Sequence, residues 1–195
     1  MKGGLALQIK TLVIGGVLVV GLGAIATMAT IAVETRQRPL PTSRNRASPH
    51  EAVDATIDGA DLTITYGRPY MRGRKIMGGL VPYGRWWCPG ADEATELTTS
   101  KSLRIADLLV PAGTYTLYML PTADDWTLII NKNTGLFHTQ YFSSGDLGRI
   151  TLRKHQLDTP IEQLTFALDP SPSGGGVLAM KWETTEVSAP FVVVR

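Results

Sequence analysis

The first strong feature of the hydrophobic pattern is an uncharged run of twenty-three residues, 11–33. As an α-helix, at about 1.5 Å per residue, this run would be roughly 34 Å long. That length is enough to cross a hydrocarbon core of about 30 Å, and no globular core of this size needs such a helix. The run predicts one transmembrane helix within residues 1–33, retained as a signal anchor.

The basic residues around this run leave its processing and its orientation open. Lys2, Lys10 and the small residues Ala24 and Ala26 also fit a cleaved signal peptide. Counted alone, the four Arg after the run would place the C-terminal part of the chain in the cytoplasm. A basic start followed by an apolar stretch is typical of an export signal. We therefore expect a single-pass protein of the bacterial inner membrane with its C-terminal domain in the periplasm.

The segment that follows, residues 34–49, is polar and shows no apolar periodicity. It contains three Pro and four Arg. This composition is typical of a tether, so we expect a flexible Arg/Pro-rich linker here. Its Arg residues could also contact lipid headgroups or an acidic partner surface.

From residue 50 onward the pattern alternates as it does in β-strands. A first hairpin is predicted from residues 52–57 and 62–66, because the intervening Asp58 and Gly59 readily adopt the positive φ angles of a two-residue turn. A second hairpin is predicted from 114–120 and 126–130. Further strands are expected at 149–153, 161–168, 177–183 and 190–194.

These short strands, without any long amphipathic helical pattern, indicate the fold class. Residues 50–195 are expected to form one all-β domain, an antiparallel β-sandwich or jelly roll. The long segment 67–96 matches no strand spacing. It is predicted as a large loop laid over the sheet.

The net charge of +2 divides unevenly along the chain, with +5 on residues 1–49 and −3 on residues 50–195. The expected domain therefore lacks the basic character of a nucleic-acid-binding protein, and no nucleic-acid partner is expected. The single Cys excludes a disulfide framework and a multi-thiolate metal site.

Five short motifs in the domain are specific enough to suggest a family. They are YGRP at 66–69, GRKI at 73–76, VPYG at 81–84, GADEAT at 90–95 and PAGTY at 111–115. With them, the chain from about Ser48 to its C-terminus resembles a bacterial family of exported proteins catalogued as domain of unknown function 2911. The resemblance implies a shared fold and an exported location, and it implies no activity.

The predicted loop has a marked charge pattern. Between residues 66 and 90 there are five bases and no acid, and acids resume with Asp92, Glu93 and Glu96. In a structural interpretation, Arg68 and Arg74 pair with Asp92 and Glu93 and clamp the loop onto the sheet. In a functional one, the bases face an anionic ligand or partner. The candidate binding residues are these bases and the first two acids: Arg68, Arg72, Arg74, Lys75, Arg85, Asp92 and Glu93.

Trp86 and Trp87 add an aromatic pair to the same loop. Adjacent side chains in extended backbone point to opposite sides. One Trp is therefore expected to cap the core while the other is available to a partner or a sugar ring, and burial of both is the alternative.

No catalytic or metal-binding motif is recognisable. His50, His138 and His155 are far apart, and no HExxH, CxxC or GxSxG occurs. A site of His50 and His138 with Glu93, or a hydrolase site of His50, Cys88 and Glu93, would require distant residues to meet. We expect a buried inert thiol at Cys88 and predict no catalytic residue, no metal and no cofactor.

These features favour a non-enzymatic accessory subunit that docks on a larger membrane complex, such as a respiratory or photosynthetic assembly, and stabilises it. The expected partners are the membrane and other subunits of that complex. One alternative is a periplasmic module that binds an anionic or sugar ligand through Arg68, Arg74 and a Trp. A hydrolase is the third.

Overall fold

The structure is a computed structural model that describes residues 35–41 and 45–194. It is all-β and antiparallel, which confirms the predicted class at that level. The predicted transmembrane segment, residues 1–33, lies outside the described residues. Within the described part of the chain, none of the helical segments has the length and apolar character needed to span a bilayer.

Ten strands form the sheet, in the spatial order β1-β2-β3-β4-β7-β8-β9-β10-β5-β6. Their bounds are as follows: β1 Arg36–Pro39, β2 His50–Ile57, β3 Ala60–Gly67, β4 Glu96–Thr99, β5 Leu103–Ile105, β6 Leu108–Val110, β7 Gly113–Pro121, β8 Trp126–Asn131, β9 Asp146–Pro170 and β10 Gly176–Val193.

Both predicted hairpins are present. Strands β2 and β3 are joined by Asp58 and Gly59, whose φ angles of 49° and 73° are those of the expected turn. Along β3, Leu62 and Ile64 alternate with polar neighbours and are buried, so this face of the hairpin lies on the core. Strands β7 and β8 pair over the second predicted hairpin.

Strand β9 is longer than the sequence indicates, because two of the predicted strands are one continuous strand of 25 residues. Its first part pairs with β8 up to Leu152, and from Arg153 onward it pairs with β10. The largely polar and exposed residues 153–160 interrupt the hydrophobic pattern. The ladder with β10 also shifts its register here, since Gln156 lies opposite Thr185 and Ile161 opposite Glu183, yet the strand continues through the irregularity.

The sheet folds back on itself to enclose one core. Tyr66 of β3 and Phe166 of β9 are not on neighbouring strands, yet their rings lie 5.0 Å apart in an edge-to-face contact. The Phe166 backbone N–H also donates a hydrogen bond of 3.1 Å to the Tyr66 hydroxyl. With the fully buried Trp126 and Trp182, these rings belong to a single hydrophobic cluster.

Strand β1 lies inside the segment that the sequence indicates to be a linker. It pairs with the free edge of β2, where Arg36 lies opposite Asp54 in the register. Arg38 donates to the Asp54 carboxylate at 2.5 Å, so a polar strand is held here by backbone pairing and one ion pair. Such a strand leaves no apolar pattern in the sequence.

The segment between β3 and β4 contains no named strand, in agreement with the predicted large loop. Backbone hydrogen bonds attach it to the sheet: Met71 donates to the Glu162 carbonyl, and Trp87 exchanges two bonds of 2.7 Å with Met119. The Glu183 carboxylate accepts from the backbone N–H of Ile76 at 3.0 Å. The loop is therefore laid along the sheet and fixed at several points.

Candidate functional site

Arg68, at the start of the loop, fixes the loop to the sheet. Its side chain is 14% exposed, and its guanidinium donates to the Glu51 carboxylate at 2.7 Å. It also donates to the Leu164 carbonyl at 3.0 Å and to the Thr165 hydroxyl at 2.9 Å. The prediction that Arg68 pairs with Asp92 or Glu93 is wrong, because the ends of β2 and β9 bring other acceptors closer.

Arg74 does not pair with those acids either, and that prediction is also wrong. Its guanidinium donates to the backbone carbonyls of Tyr70 at 2.6 Å and Met71 at 2.9 Å. Both acceptors lie in the loop itself. Arg74 therefore stabilises a local turn and remains exposed to solvent.

The remaining cations of the loop share this lack of a carboxylate partner. Arg72 lies 5.9 Å from the centre of the Tyr70 ring and donates to the Ala47 carbonyl at 3.0 Å. Among the described residues, no salt bridge involves any of four exposed loop cations: Arg72, Arg74, Lys75 and Arg85. We call residues 72–86, which carry them, the outer part of the loop.

Exposed apolar side chains accompany these cations. Leu80 is 47% exposed, and Tyr83 and Trp86 are each 40% exposed. The Trp86 ring rests on Tyr118 and Tyr141 at centroid distances of 6.0 and 5.2 Å, which orients it while one side stays open. The outer part of the loop thus combines positive charge with oriented apolar groups.

Trp87 points the other way, so the structure selects the first of the two interpretations of the Trp pair. Its ring stacks on Trp182 at 6.2 Å and meets the edge of Trp126 at 6.3 Å. It is half-buried and packs against the main hydrophobic cluster. Trp87 caps the core, and Trp86 does not.

Residues 87–96, which we call the closing part of the loop, bring Asp92 and Glu93 to the start of β2. His50 lies opposite Gly67 in the β2–β3 register. A Cβ atom on Gly67 would be 2.2 Å from the Ala91 carbonyl oxygen, so only glycine permits this approach. The absence of a side chain at this position places the two carboxylates beside His50.

His50, Asp92 and Glu93 form a compact cluster, with potential ligand atoms within 4.8 Å of one another. His50 is 4% exposed. Its Nε2 lies 2.9 Å from Glu93 Oε2, but the two atoms are not aligned for a hydrogen bond, and within the described part of the chain this nitrogen has no hydrogen-bond partner. The cluster therefore contains a buried imidazole nitrogen that is unsatisfied.

Arg46 is the cation of this cluster, and it is not among the candidate residues named from the sequence. Its guanidinium holds Glu93 through two hydrogen bonds, Nη1 to Oε2 at 2.5 Å and Nη2 to Oε1 at 2.9 Å. Nη1 is also 3.5 Å from Asp92 Oδ2 and 2.9 Å from His50 Nδ1. Since an arginine only donates, Nδ1 must accept, and the proton of the neutral ring is on Nε2.

The electrostatics of the cluster follow from these contacts. The hydrogen bond from Arg46 is the main reason that the pKa of Glu93 is lowered to about 2. The same contact raises the pKa of Arg46 above its ordinary value. At neutral pH the cluster therefore holds an ionised Glu93 against a permanently charged guanidinium.

Two other residues considered from the sequence lie beside the cluster or away from it. His138 contacts Asp92 only through the backbone, with Nδ1 2.8 Å from the Asp92 carbonyl oxygen. His138 thus orients the segment that carries the two acids. His155 lies exposed on β9.

Cys88 is a buried thiol, as predicted, and is 1% exposed. Its sulfur lies 3.6 Å from the Leu117 carbonyl oxygen and 3.5 Å from the Thr95 nitrogen. Burial raises its pKa to about 12, so it is protonated at neutral pH. A thiol in this state does not supply a nucleophile.

The geometry defines a class of protein, an antiparallel all-β domain with one long loop over the sheet. The outer part of this loop exposes cations and aromatic rings, and its closing part, with two carboxylates, lies beside a histidine. The chain belongs to the family described as Protein of unknown function (DUF2911), whose model matches residues 48–191. The family span includes His50, Asp92 and Glu93 and begins after Arg46. No curated protein and no solved structure matches the chain.

Proposed function

We propose that this chain is a non-enzymatic accessory subunit that docks an acidic surface of a larger membrane complex through the outer part of its loop. In this proposal, residues 1–33 anchor the chain in the bacterial inner membrane. The domain, with its folded-back sheet as a sandwich or jelly roll, lies in the periplasm. A respiratory or photosynthetic assembly would suit such a subunit.

One observation carries this proposal: four exposed cations of the outer part have no carboxylate partner among the described residues, beside exposed Leu80, Tyr83 and Trp86. A purely structural loop of this charge would gain by pairing with the acids of its own domain. Two acids that flank the loop are engaged by other cations, Glu51 by Arg68 and Glu93 by Arg46. The outer part therefore keeps its charge available for a partner.

The chemistry of these side chains favours a protein surface that carries carboxylates. Trp, Tyr and Arg are the residue types that contribute most to binding at interfaces. The planar guanidinium groups of Arg72, Arg74 and Arg85 match carboxylates with two hydrogen bonds each. Trp86 is held in place by Tyr118 and Tyr141, so little conformational entropy would be lost when a partner covers it.

The ligand-binding alternative has less support from the geometry. It relies on Arg68 and Arg74 acting together, yet Arg68 already uses its guanidinium on Glu51, Leu164 and Thr165. The cations that remain without a carboxylate partner among the described residues lie on an exposed surface, which suits a broad partner better than a small ligand.

The test is the apparent mass of the full-length protein in a mild detergent extract, measured on native gels. We expect the wild type to migrate in an assembly much larger than one chain. The triple variant Arg72→Glu, Arg74→Glu, Lys75→Glu should migrate alone. The control reverses three exposed cations outside the loop, Arg104→Glu, Lys132→Glu and Arg153→Glu, and should remain in the assembly.

Two outcomes would contradict the proposal. If the wild type migrates as a single chain, the protein is not part of a larger complex. If the triple variant stays in the assembly, the outer part of the loop is not the contact with that complex. Vesicles containing anionic lipid test the other source of negative charge. If wild type binds them, and the triple variant loses that binding while staying in the assembly, the loop faces lipid instead.

A further inference from the structure

The cluster of Arg46, His50, Asp92 and Glu93 has the composition of a cation site. The guanidinium of Arg46 is held by one imidazole and by the carboxylates of both acids, at distances from 2.5 to 3.5 Å. An imidazole nitrogen with two carboxylate oxygens is also a ligand set that suits divalent transition metals. The protein has thus placed an internal cation among groups that could bind an ion.

We propose that His50, Asp92 and Glu93 bind a divalent metal ion of the zinc class, and that Arg46 is an internal cation that competes for the same carboxylates. The site is independent of the docking surface, because it uses no cation of the outer part of the loop. The proposed metal site consists of His50, the first residue of β2, and two residues of the closing part of the loop.

His50 carries the argument. It is fixed by the β2–β3 pairing and is 4% exposed, and its Nε2 has no hydrogen-bond partner within the described residues. Buried ring nitrogens are normally satisfied, so an unsatisfied one beside two carboxylates indicates a missing partner. Nε2 and Glu93 Oε2 are 2.9 Å apart, so a metal ion bound by one of these atoms would be in reach of the other.

The side chains of the two carboxylates can rotate, as binding of a metal ion between them and His50 requires. The side chains of Asp92 and Glu93 are 41% and 59% exposed, so each can rotate without disturbing the core. One ligand atom of each of the three residues already lies within 4.8 Å of the other two. Bonds of about 2.0–2.2 Å to one ion require only small rotations of these two side chains.

The choice of metal follows from the donors. Calcium and magnesium prefer all-oxygen sites, whereas an imidazole with two carboxylates suits zinc and its neighbours among the divalent transition metals. Among the residues that the structure describes, three protein ligands are in reach. Asp92 and Glu93 line an open cleft of about 430 Å³ together with Ser48 and Phe137, so water can complete the coordination from that side.

Arg46 explains how the site would be controlled. By donating to Nδ1, it keeps the ring proton on Nε2, the nitrogen that faces Glu93, and it also neutralises Glu93. Metal binding must displace both the Nε2 proton and the guanidinium. Removing the guanidinium should therefore strengthen metal binding, whereas a purely structural ion pair predicts no such effect.

The test is zinc affinity of the full-length protein in detergent at pH 7, after chelation and dialysis, measured by competition with a chromophoric zinc chelator. We expect one zinc per chain. Arg46→Gln should raise the affinity about tenfold, the size of effect that a group in contact with a metal ligand has on binding. Glu93→Gln and His50→Gln should lower it by at least roughly the same factor. Controls are His155→Gln and Asp158→Asn, an exposed histidine and an exposed acid outside the cluster.

Because His50 is buried, Glu93→Gln is the decisive variant, and circular dichroism shows whether each variant is folded. Zinc binding by Arg46→Gln that disappears on adding Glu93→Gln supports the site even if the wild type binds weakly. The proposal is overturned if neither wild type nor Arg46→Gln binds one zinc. It is equally overturned if binding is the same in Glu93→Gln. None of these results depends on the native-gel assay, so the metal site and the docking surface are tested independently.

Discussion

The two parts of the long loop differ in whether their charged side chains have partners of opposite charge. In the outer part, four cations point to solvent without a carboxylate partner among the described residues. In the closing part, Asp92 and Glu93 are gathered around Arg46 and His50. The comparison teaches that opposite charges close together in a sequence need not pair. The fold brings Asp92 to a cation 46 positions away in the sequence and leaves four nearer cations exposed.

The boundary between the two parts falls between two neighbouring residues. Trp86 is 40% exposed, whereas Trp87 packs on Trp126 and Trp182. Stability should therefore depend on the closing part and its attachments, and partner binding on the outer part. Variants on either side of the boundary test this division.

The largest effect on stability is expected for Trp87→Ala, about 3 kcal/mol, because the change removes a ring stacked against the core and leaves a cavity. Trp86→Ala is the matched control and should cost about 1 kcal/mol, since this residue is 40% exposed. Urea unfolding of both variants measures the difference. Equal losses in the free energy of unfolding would show that the boundary between the outer and closing parts does not fall between Trp86 and Trp87.

The next largest effect is expected for Arg68→Ala, a loss of about 2 kcal/mol in the free energy of unfolding. The change leaves the Glu51 carboxylate, whose side chain is 18% exposed, without its partner. It also removes the donors to Leu164 and Thr165. Denaturant unfolding of the single and double variants with Glu51→Ala provides the check. Losses that simply add would mean that the two side chains do not interact.

Features set by local chemistry could be predicted from the sequence. The β2–β3 hairpin depends on Asp58 and Gly59, which adopt the required φ angles by their own nature. The inert thiol of Cys88 followed from its apolar surroundings. Continuous β9 and polar β1 could not be predicted, because neither residues 153–160 nor β1 carries an apolar pattern.

The candidate site was predicted only in part. The sequence indicates Asp92 and Glu93 as candidates, and its alternatives place His50 with Glu93. It does not indicate Arg46, because Arg46 lies in a segment whose composition is typical of a linker. One sequence signal was available: Arg46 precedes His50 by only four residues, so it must lie near the start of β2.

The ion pair of the closing part should make stability depend on acid pH. The pKa of Glu93 is about 2 in the folded protein, against an ordinary 4.5. Because the folded value is the lower one, the contribution is present above about pH 4.5 and is lost as the pH falls towards 2. Glu93 is 59% exposed, so solvent screening keeps the effect small.

The measurement is the melting temperature of wild type and Glu93→Gln between pH 6 and pH 3. The wild type should lose more stability than the variant as the medium becomes acidic, and the two curves should converge. Asp158→Asn, which neutralises an exposed acid on β9, should follow the wild type. Parallel curves for wild type and Glu93→Gln would mean that the guanidinium of Arg46 does not hold this carboxylate in solution.

The smallest effect on stability is expected for Arg74→Ala, and this variant tests the comparison most directly. Arg74 shares residue type and loop with Arg68, but its only described acceptors are two carbonyls of its own turn, and it is exposed. Its removal leaves no buried carboxylate, so the free energy of unfolding should change by no more than about 0.5 kcal/mol. The same variant should weaken the assembly on native gels. If Arg74→Ala instead destabilised the domain as much as Arg68→Ala, the outer part would be a structural clamp after all, and its exposed charge would need no partner.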